Sequence, residues 1–266
     1  MSLNFWRQSM SAWPSADALA GRVALVTGGA RRLGGYVSRG LARAGADVAV
    51  HYATSASDAA AVVADIEALG RHAAAFQADL AHVDQAQMLV RAALAEFGRL
   101  DILVHAASPF HAARFDRVTE AVWDDSVDVT LKAAFFTTQA AAPALAEARG
   151  SIVFITDIAA RAPYPGFIPH SAAKAGLENL TLSLAQALAP AVRVNSVAPG
   201  IVLPPDAMSA AQTERFAQRT LVGRVGSPDD VVQAVLFLVL SPFITGHSLV
   251  VDGGEMARRF GSGAVL

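Results

Sequence analysis

A run near the N-terminus, Thr27-Gly28-Gly29-Ala30-Arg31-Arg32-Leu33-Gly34-Gly35, has the composition of a loop that can wrap a phosphate. It follows the apolar, β-branched run Val23 to Thr27 and opens directly into a helical pattern. Gly28 can take backbone angles closed to other residues, and Gly34 lets the helix approach the sheet or a ligand closely. The helix N-terminus then offers free N–H groups to a pyrophosphate. A dinucleotide is the ligand this placement predicts. The end of the next strand narrows the choice. An NAD-selective site carries Asp or Glu there to accept from the ribose hydroxyls, whereas this chain reads His51-Tyr52-Ala53-Thr54-Ser55. Hydroxyls replace the carboxylate, and Arg31 and Arg32 can pair with a 2′-phosphate in bidentate fashion. NADP(H) is the expected cofactor, with contacts at Gly28, Arg31, Arg32, Leu33, Gly34, His51, Tyr52, Thr54 and Ser55.

Such a loop must be held by a sheet, and the rest of the chain supplies one. Strand-like runs occur at Val23 to Thr27, Asp47 to His51, His72 to Gln77, Ile102 to His105, Ser151 to Ile155, Val192 to Val197 and Ser248 to Val251. Helical patterns fall between them: Leu33 to Ala44, Ser57 to Leu69, Val83 to Phe97, Val122 to Leu145, His170 to Ala189 and Pro228 to Leu240. Gly45, Gly70 and Gly98 stand just past helical patterns, where left-handed caps are wanted. This alternation predicts a single doubly wound α/β (Rossmann) domain over residues 21–266, a seven-stranded parallel sheet with helices on both faces. Residues 1–20 read as an N-terminal extension, a loose leader, with the alternative that Phe5, Trp6 and Trp13 cover a neighbouring subunit.

Composition removes other classes. Of 266 residues 53% are hydrophobic and 17% charged, which excludes extensive disorder, and the net charge of −2 without basic runs predicts neither nucleic acid nor membrane partners. The absence of cysteine excludes disulfides and thiolate chemistry. Apolar stretches such as Ala234 to Leu240 fall far short of the roughly 18 residues of a membrane span. The N-terminal segment lacks the apolar core of a signal peptide, so a cytoplasmic location is expected. No histidine has partners at metal-ligand spacing, so no metal is expected.

From Gly21 to Glu255 the chain resembles the short-chain dehydrogenases/reductases. Besides the glycine loop, the resemblance rests on Asp79-Leu80 after the third strand and Asn195-Ser196-Val197-Ala198-Pro199-Gly200 after the sixth. Ile244-Thr245-Gly246 and Val251-Asp252-Gly253-Gly254 complete it. It implies that Asp79 and Leu80 lie by the adenine and that Ala106, Pro199, Gly200 and Ile201 also contact the cofactor. It further implies a homotetramer. Within the family the chain looks most like pteridine reductases. Their loop has an arginine where Arg32 stands, their fourth strand ends in a turn like Ala107-Ser108-Pro109-Phe110, and they carry an aspartate at the place of Asp157. A flat heterocycle could stack on Phe110, with Arg32 and Ser108 at its edge. The implied substrate is therefore a small planar carbonyl or imine compound, a pterin among them.

The pattern breaks at one helix. Most members carry Tyr and Lys four residues apart, and here His170-Ser171-Ala172-Ala173-Lys174 keeps the spacing with histidine first. Thr130 also stands where the family commonly has asparagine. Reduction of C=O or C=N needs a hydride on one side and a positioned proton on the other. Histidine, ordinarily titrating near 6.5, can supply that proton. An unpaired buried carboxylate is costly, so Asp157 is expected in the pocket with His170. The resemblance assigns Lys174 to the nicotinamide ribose. Asp157, His170 and Lys174 are thus the candidate catalytic set. The alternatives are a catalytically altered or inactive member serving as a cofactor-binding partner or ligand-binding subunit, and a substitute hydroxyl from Tyr164. The segment from Ile201 to Arg219 is expected to form a mobile lid.

Overall fold

The computed structural model describes residues 15–203 and 209–260. Seven parallel strands lie in the order β3-β2-β1-β4-β5-β6-β7. They are β1 Val23–Thr27, β2 Asp47–Tyr52, β3 Ala73–Gln77, β4 Ile102–His105, β5 Ser151–Ile155, β6 Arg193–Pro199 and β7 Ser248–Val251. Successive strand residues enter opposite layers. Ala24, Val26, Ile102 and Val104 belong to one apolar layer and Val23, Leu25 and Leu103 to the other. Because both faces are dry at the centre of the sheet, β1, β4 and β5 are buried along their whole length and read as continuous apolar runs instead of alternating ones. The first layer packs on α1 (Arg32–Arg43), α2 (Ala56–Glu67) and α8 (Pro228–Leu240), the second on α3 (Val83–Phe97), α5 (Ala133–Glu147) and α6 (Ile168–Leu188).

The chain winds outward from β1 to β3 and then returns to place β4 on the other side of β1. A crevice opens where the winding reverses, at the C-terminal ends of β1 and β4. Thr27 pairs in register with His105 there, so the phosphate loop and the Ser108 turn leave the sheet side by side.

Two expectations are corrected. The packed body begins before the boundary at residue 20. Leu19 is fully buried, its N–H donates to the Ala44 carbonyl at 2.7 Å, and Arg71 reaches Asp17 at 2.8 Å. A single buried leucine in a segment without periodicity leaves no sequence signal. Phe5, Trp6 and Trp13 lie outside the described residues. The helix expected from Val122 to Leu145 is α4 (Glu120–Val127), a wide π turn over Asp128–Lys132, and α5. One extra residue in a turn barely disturbs apolar periodicity, so the sequence does not reveal it. Of the expected lid, residues 204–208 lie outside the described residues. They precede α7 (Ala210–Ala217), whose start is closed by reciprocal Ser209 and Gln212 contacts. Among the described residues no helix is long and apolar enough to cross a membrane.

Candidate functional site

The loop after β1 is built to leave no room. Gly28 has a φ of 63°, and a Cβ there would stand 2.9 Å from Ala107 Cα; a Cβ on Gly34 would stand 2.1 Å from the Gly28 carbonyl oxygen. Arg32 is also left-handed, with φ 46°. For a residue with a side chain this costs of order 1–3 kcal/mol, a strain that collects at ligand clamps. The start of α1 is unfilled: Arg31 provides no side-chain cap and the first turn has no acid. By contrast, α8 has a Ser227 cap followed by Asp229 and Asp230. Orphan N–H groups at an uncapped, acid-free helix start suit a pyrophosphate.

The two adjacent arginines diverge. Arg31 Nε lies 3.4 Å from Asp58 in the first turn of α2, beside Thr54 and Ser55. Arg32 Nη2 instead donates to the Leu203 carbonyl at 3.3 Å, beyond the Pro199-Gly200-Ile201 end of β6. Arg31 stays at the end of β2, and Arg32 spans toward the far wall of the crevice.

His51 was expected at the cofactor, but its ring faces the protein. The Gly28 N–H donates to its Nδ1 at 2.9 Å and its Nε2 donates to the Ala78 carbonyl at 3.0 Å. With both nitrogens occupied and the side chain buried, it braces the loop. Burial pushes its pKa down to about 4. Nearby, Tyr52 packs half-buried on the first apolar layer and Leu80 is buried. Asp79 accepts from the Ala81 N–H at 3.0 Å.

His105 does the same work two strands over, on β4. Its Nε2 donates to the Val129 carbonyl in the π turn at 3.2 Å, so its Nδ1 accepts from the Thr27 hydroxyl at 2.9 Å. That hydroxyl in turn accepts from the Ala106 and Ala107 N–H groups at 3.2 Å each. Burial, with Lys174 nearby, drives the His105 pKa down to about 3. Thr130, in the same π turn, is fully buried with its hydroxyl 3.0 Å from Ser108 Oγ.

The candidate catalytic residues converge at the end of β5. Asp157 Oδ1 accepts from the Ala159 N–H at 2.7 Å, which caps a short 3-10 turn. Its Oδ2 lies 3.4 Å from His170 Nε2, and His170 Nδ1 is 3.3 Å from the Pro109 carbonyl oxygen. A carbonyl can only accept, so Nδ1 carries a hydrogen and Nε2 shares a proton position with the carboxylate. One helical turn on, Lys174 Nζ donates to the Ile155 carbonyl at 2.6 Å. Its burial lowers its pKa to about 8, against the opposing pull of Asp157.

Phe110 stacks on Phe167, with ring centroids 4.2 Å apart and planes at 18°. It stands edge-on to His170 at 4.9 Å and 87°, yet remains 59% exposed. Tyr164 meets Phe167 edge-on at 6.5 Å, as a loop aromatic. Sequence reasoning missed Phe167 and Pro109. An aromatic three residues before His170 could have suggested the first; the second acts through its backbone and has no signal. Among the described residues no group of His, Asp and Glu could hold a metal.

Residues 28–255 match the family described as enoyl-(acyl carrier protein) reductase. The chain is 36% identical over 242 residues to a 3-oxoacyl-[acyl-carrier-protein] reductase of Synechocystis sp., covering 89% of this chain and 98% of the relative. It is 37% identical over 247 residues to an L-rhamnose 1-dehydrogenase (NAD(P)(+)) of Sphingomonas sp., covering 89% and 96%. A short chain dehydrogenase from Burkholderia cenocepacia, solved in complex with NADP, superposes with a TM-score of 0.84 at 39% identity, covering 90% of this chain and 99% of that one.

Proposed function

The chain belongs to the short-chain dehydrogenase/reductase family, and from that premise we propose an NADP(H)-dependent oxidoreductase acting on a small planar carbonyl or imine compound, a pterin among the candidates. The observation that carries this reading is the His170 ring, held between the Pro109 carbonyl and the Asp157 carboxylate with Lys174 one turn away. The two relatives named above act on unlike substrates, so membership leaves the substrate to be read from the pocket.

A bound nicotinamide supplies the hydride that turns C=O into CH–OH or C=N into CH–NH. The proton for the heteroatom comes from the position shared by His170 Nε2 and Asp157 Oδ2. In oxidation the same pair accepts it. Pro109 holds the imidazole in one orientation by accepting from Nδ1. Lys174, buried and cationic below about pH 8, is the group proposed to hold the ribose hydroxyls. Arg31 with Thr54 and Ser55 is proposed to receive the 2′-phosphate. Asp79, Leu80, Ala106, Pro199, Gly200 and Ile201 would line the cofactor, and Arg32, Ser108 and Phe110 the substrate. The open face of a 59% exposed Phe110 supports a flat ligand.

A second reading, a binding subunit with little redox activity, is favoured by one feature: His170 is only 3% exposed beneath Phe110. The chain is further proposed to form a homotetramer. That is supported by fully exposed Phe243 and 51% exposed Leu182, and sedimentation would test it. A cytoplasmic site of action fits a reaction that draws on NADP(H).

The deciding experiment measures NADPH and NADH binding, then follows NADPH absorbance against dihydrobiopterin, dihydrofolate, quinones and simple ketones. Turnover that needs His170 is the expected result. Binding without turnover, and no gain in His170→Tyr, would favour the binding subunit.

A further inference from the structure

Several guanidinium groups at the surface face carboxylates. Arg39 meets Asp65 at 2.7 Å, and Arg71 with Asp17, Arg161 with Glu178 and Arg224 with Asp230 each meet at 2.8 Å. One hollow instead gathers several cations around a single carboxylate. Between the end of α7 and α9 (Glu255–Phe260) lies a cavity of about 440 Å³ lined by Arg215, Gln218, Arg219, Glu255 and Arg258, three cations to one carboxylate.

That carboxylate is already spent. Glu255 is 1% exposed and ion-paired with Arg219, whose guanidinium is also held over the Phe216 ring at 5.2 Å. Arg258 uses Nη1 on the Gln218 carbonyl, which engages one of its five donors and none of its charge. Glu214, next to Arg215 in the chain, accepts from Gln218 Nε2 at 3.0 Å. Among the described residues Arg215 has no acidic partner. Two cationic heads from segments some forty residues apart therefore line one cavity, and neither has an acidic partner among the described residues. Like charges brought together repel, and a ligand with two negative charges removes that cost. Guanidinium pairs favour phosphate, whose oxygens match their forked donors. The cavity lies in the roughly 300–1,000 Å³ range of small-molecule sites, so a bare inorganic ion would leave most of it unfilled.

We propose that this hollow, between the end of α7 and α9, is a second binding site for an organic phosphate monoester. The test is calorimetry on the full chain saturated with NADPH, so that the phosphate-binding loop after β1 is filled and cannot report. Glycerol 3-phosphate and inorganic phosphate are titrated separately into the unmodified chain, Arg215→Gln, Arg258→Gln, and the control Arg91→Gln on an exposed face of α3. Glycerol 3-phosphate should bind the unmodified chain and the control alike, more tightly than inorganic phosphate. Its affinity should fall at least about tenfold in each cavity variant, with unchanged thermal unfolding midpoints. No binding to the unmodified chain, equal affinity in all four proteins, or inorganic phosphate binding as tightly as the ester would overturn the proposal. The readout needs no turnover, so it is independent of the assignment of His170.

Discussion

At the phosphate-loop wall of the crevice, His51 and His105 each have both ring nitrogens occupied by uncharged groups: a loop N–H and two carbonyls, and a threonine hydroxyl. At the opposite wall, His170 also meets a carbonyl through Nδ1, but its Nε2 meets the Asp157 carboxylate. A carbonyl and an N–H fix one tautomer and oppose a second proton. A carboxylate accepts that proton or gives it back. The same side chain is thus a brace in two places and the proposed proton site in the third, where a carboxylate stands in place of an uncharged second partner.

The sharpest way to break this contrast is to remove the ring that faces the carboxylate. His170→Phe should lower kcat/KM about 10²- to 10⁴-fold while NADPH affinity and unfolding midpoint stay near those of the unmodified chain. A loss of twofold or less would make His170 another brace.

Next comes the acid behaviour of the braces. The unfolded chain takes up a proton on each histidine near pH 6.5, whereas folded His51 does so only near 4 and His105 near 3. Between those values the unfolded state holds more protons. Stability is therefore full above about pH 6.5 and falls as pH drops, by about 1.4 kcal/mol per pH unit for each histidine and about 3 kcal/mol in all for His51. Urea midpoints measured from pH 7 to 4 should show this slope and should flatten in His51→Gln. An equal slope in both proteins would mean that burial does not hold His51 neutral.

Lys174 sharpens the other wall. Its ammonium is lost above about pH 8, so kcat/KM should fall about tenfold per pH unit beyond that point if the charge holds the cofactor. A profile flat to pH 9.5 would remove Lys174 from that role. The smallest effect expected is at the diverging arginines. Arg31→Ala should weaken NADPH about threefold to tenfold and leave NADH unchanged, whereas Arg32→Ala should act on the substrate KM. Equal effects of both on NADPH would erase the division between the walls.

Much of this was legible in the residues. The β1 run, the glycine loop and the start of α1 are local features, and local sterics decide them. The strand runs at Ile102 to His105 and Ser151 to Ile155 were readable because a sheet covered on both faces needs unbroken apolar segments. The burial of Leu19 and the π turn at Asp128–Lys132 were not readable, because neither changes a periodicity. At the site, Asp157, His170 and Lys174 could be singled out because they stand at motif positions of the family the chain resembles. The Phe167 stack and the Pro109 carbonyl could not, since one depends on a loop folding back and the other on no side chain at all.

The sequence by itself determined the alternation of strands and helices, the phosphate loop, and the histidine four residues before Lys174, because each is set by neighbours along the chain. Only the tertiary structure decided what each histidine does. His51 meets Ala78, His105 meets Val129 and His170 meets Asp157 and Pro109, across 27, 24, 13 and 61 residues respectively. A side chain's protonation follows from the partners that folding brings to it, and those partners were not its neighbours in the chain.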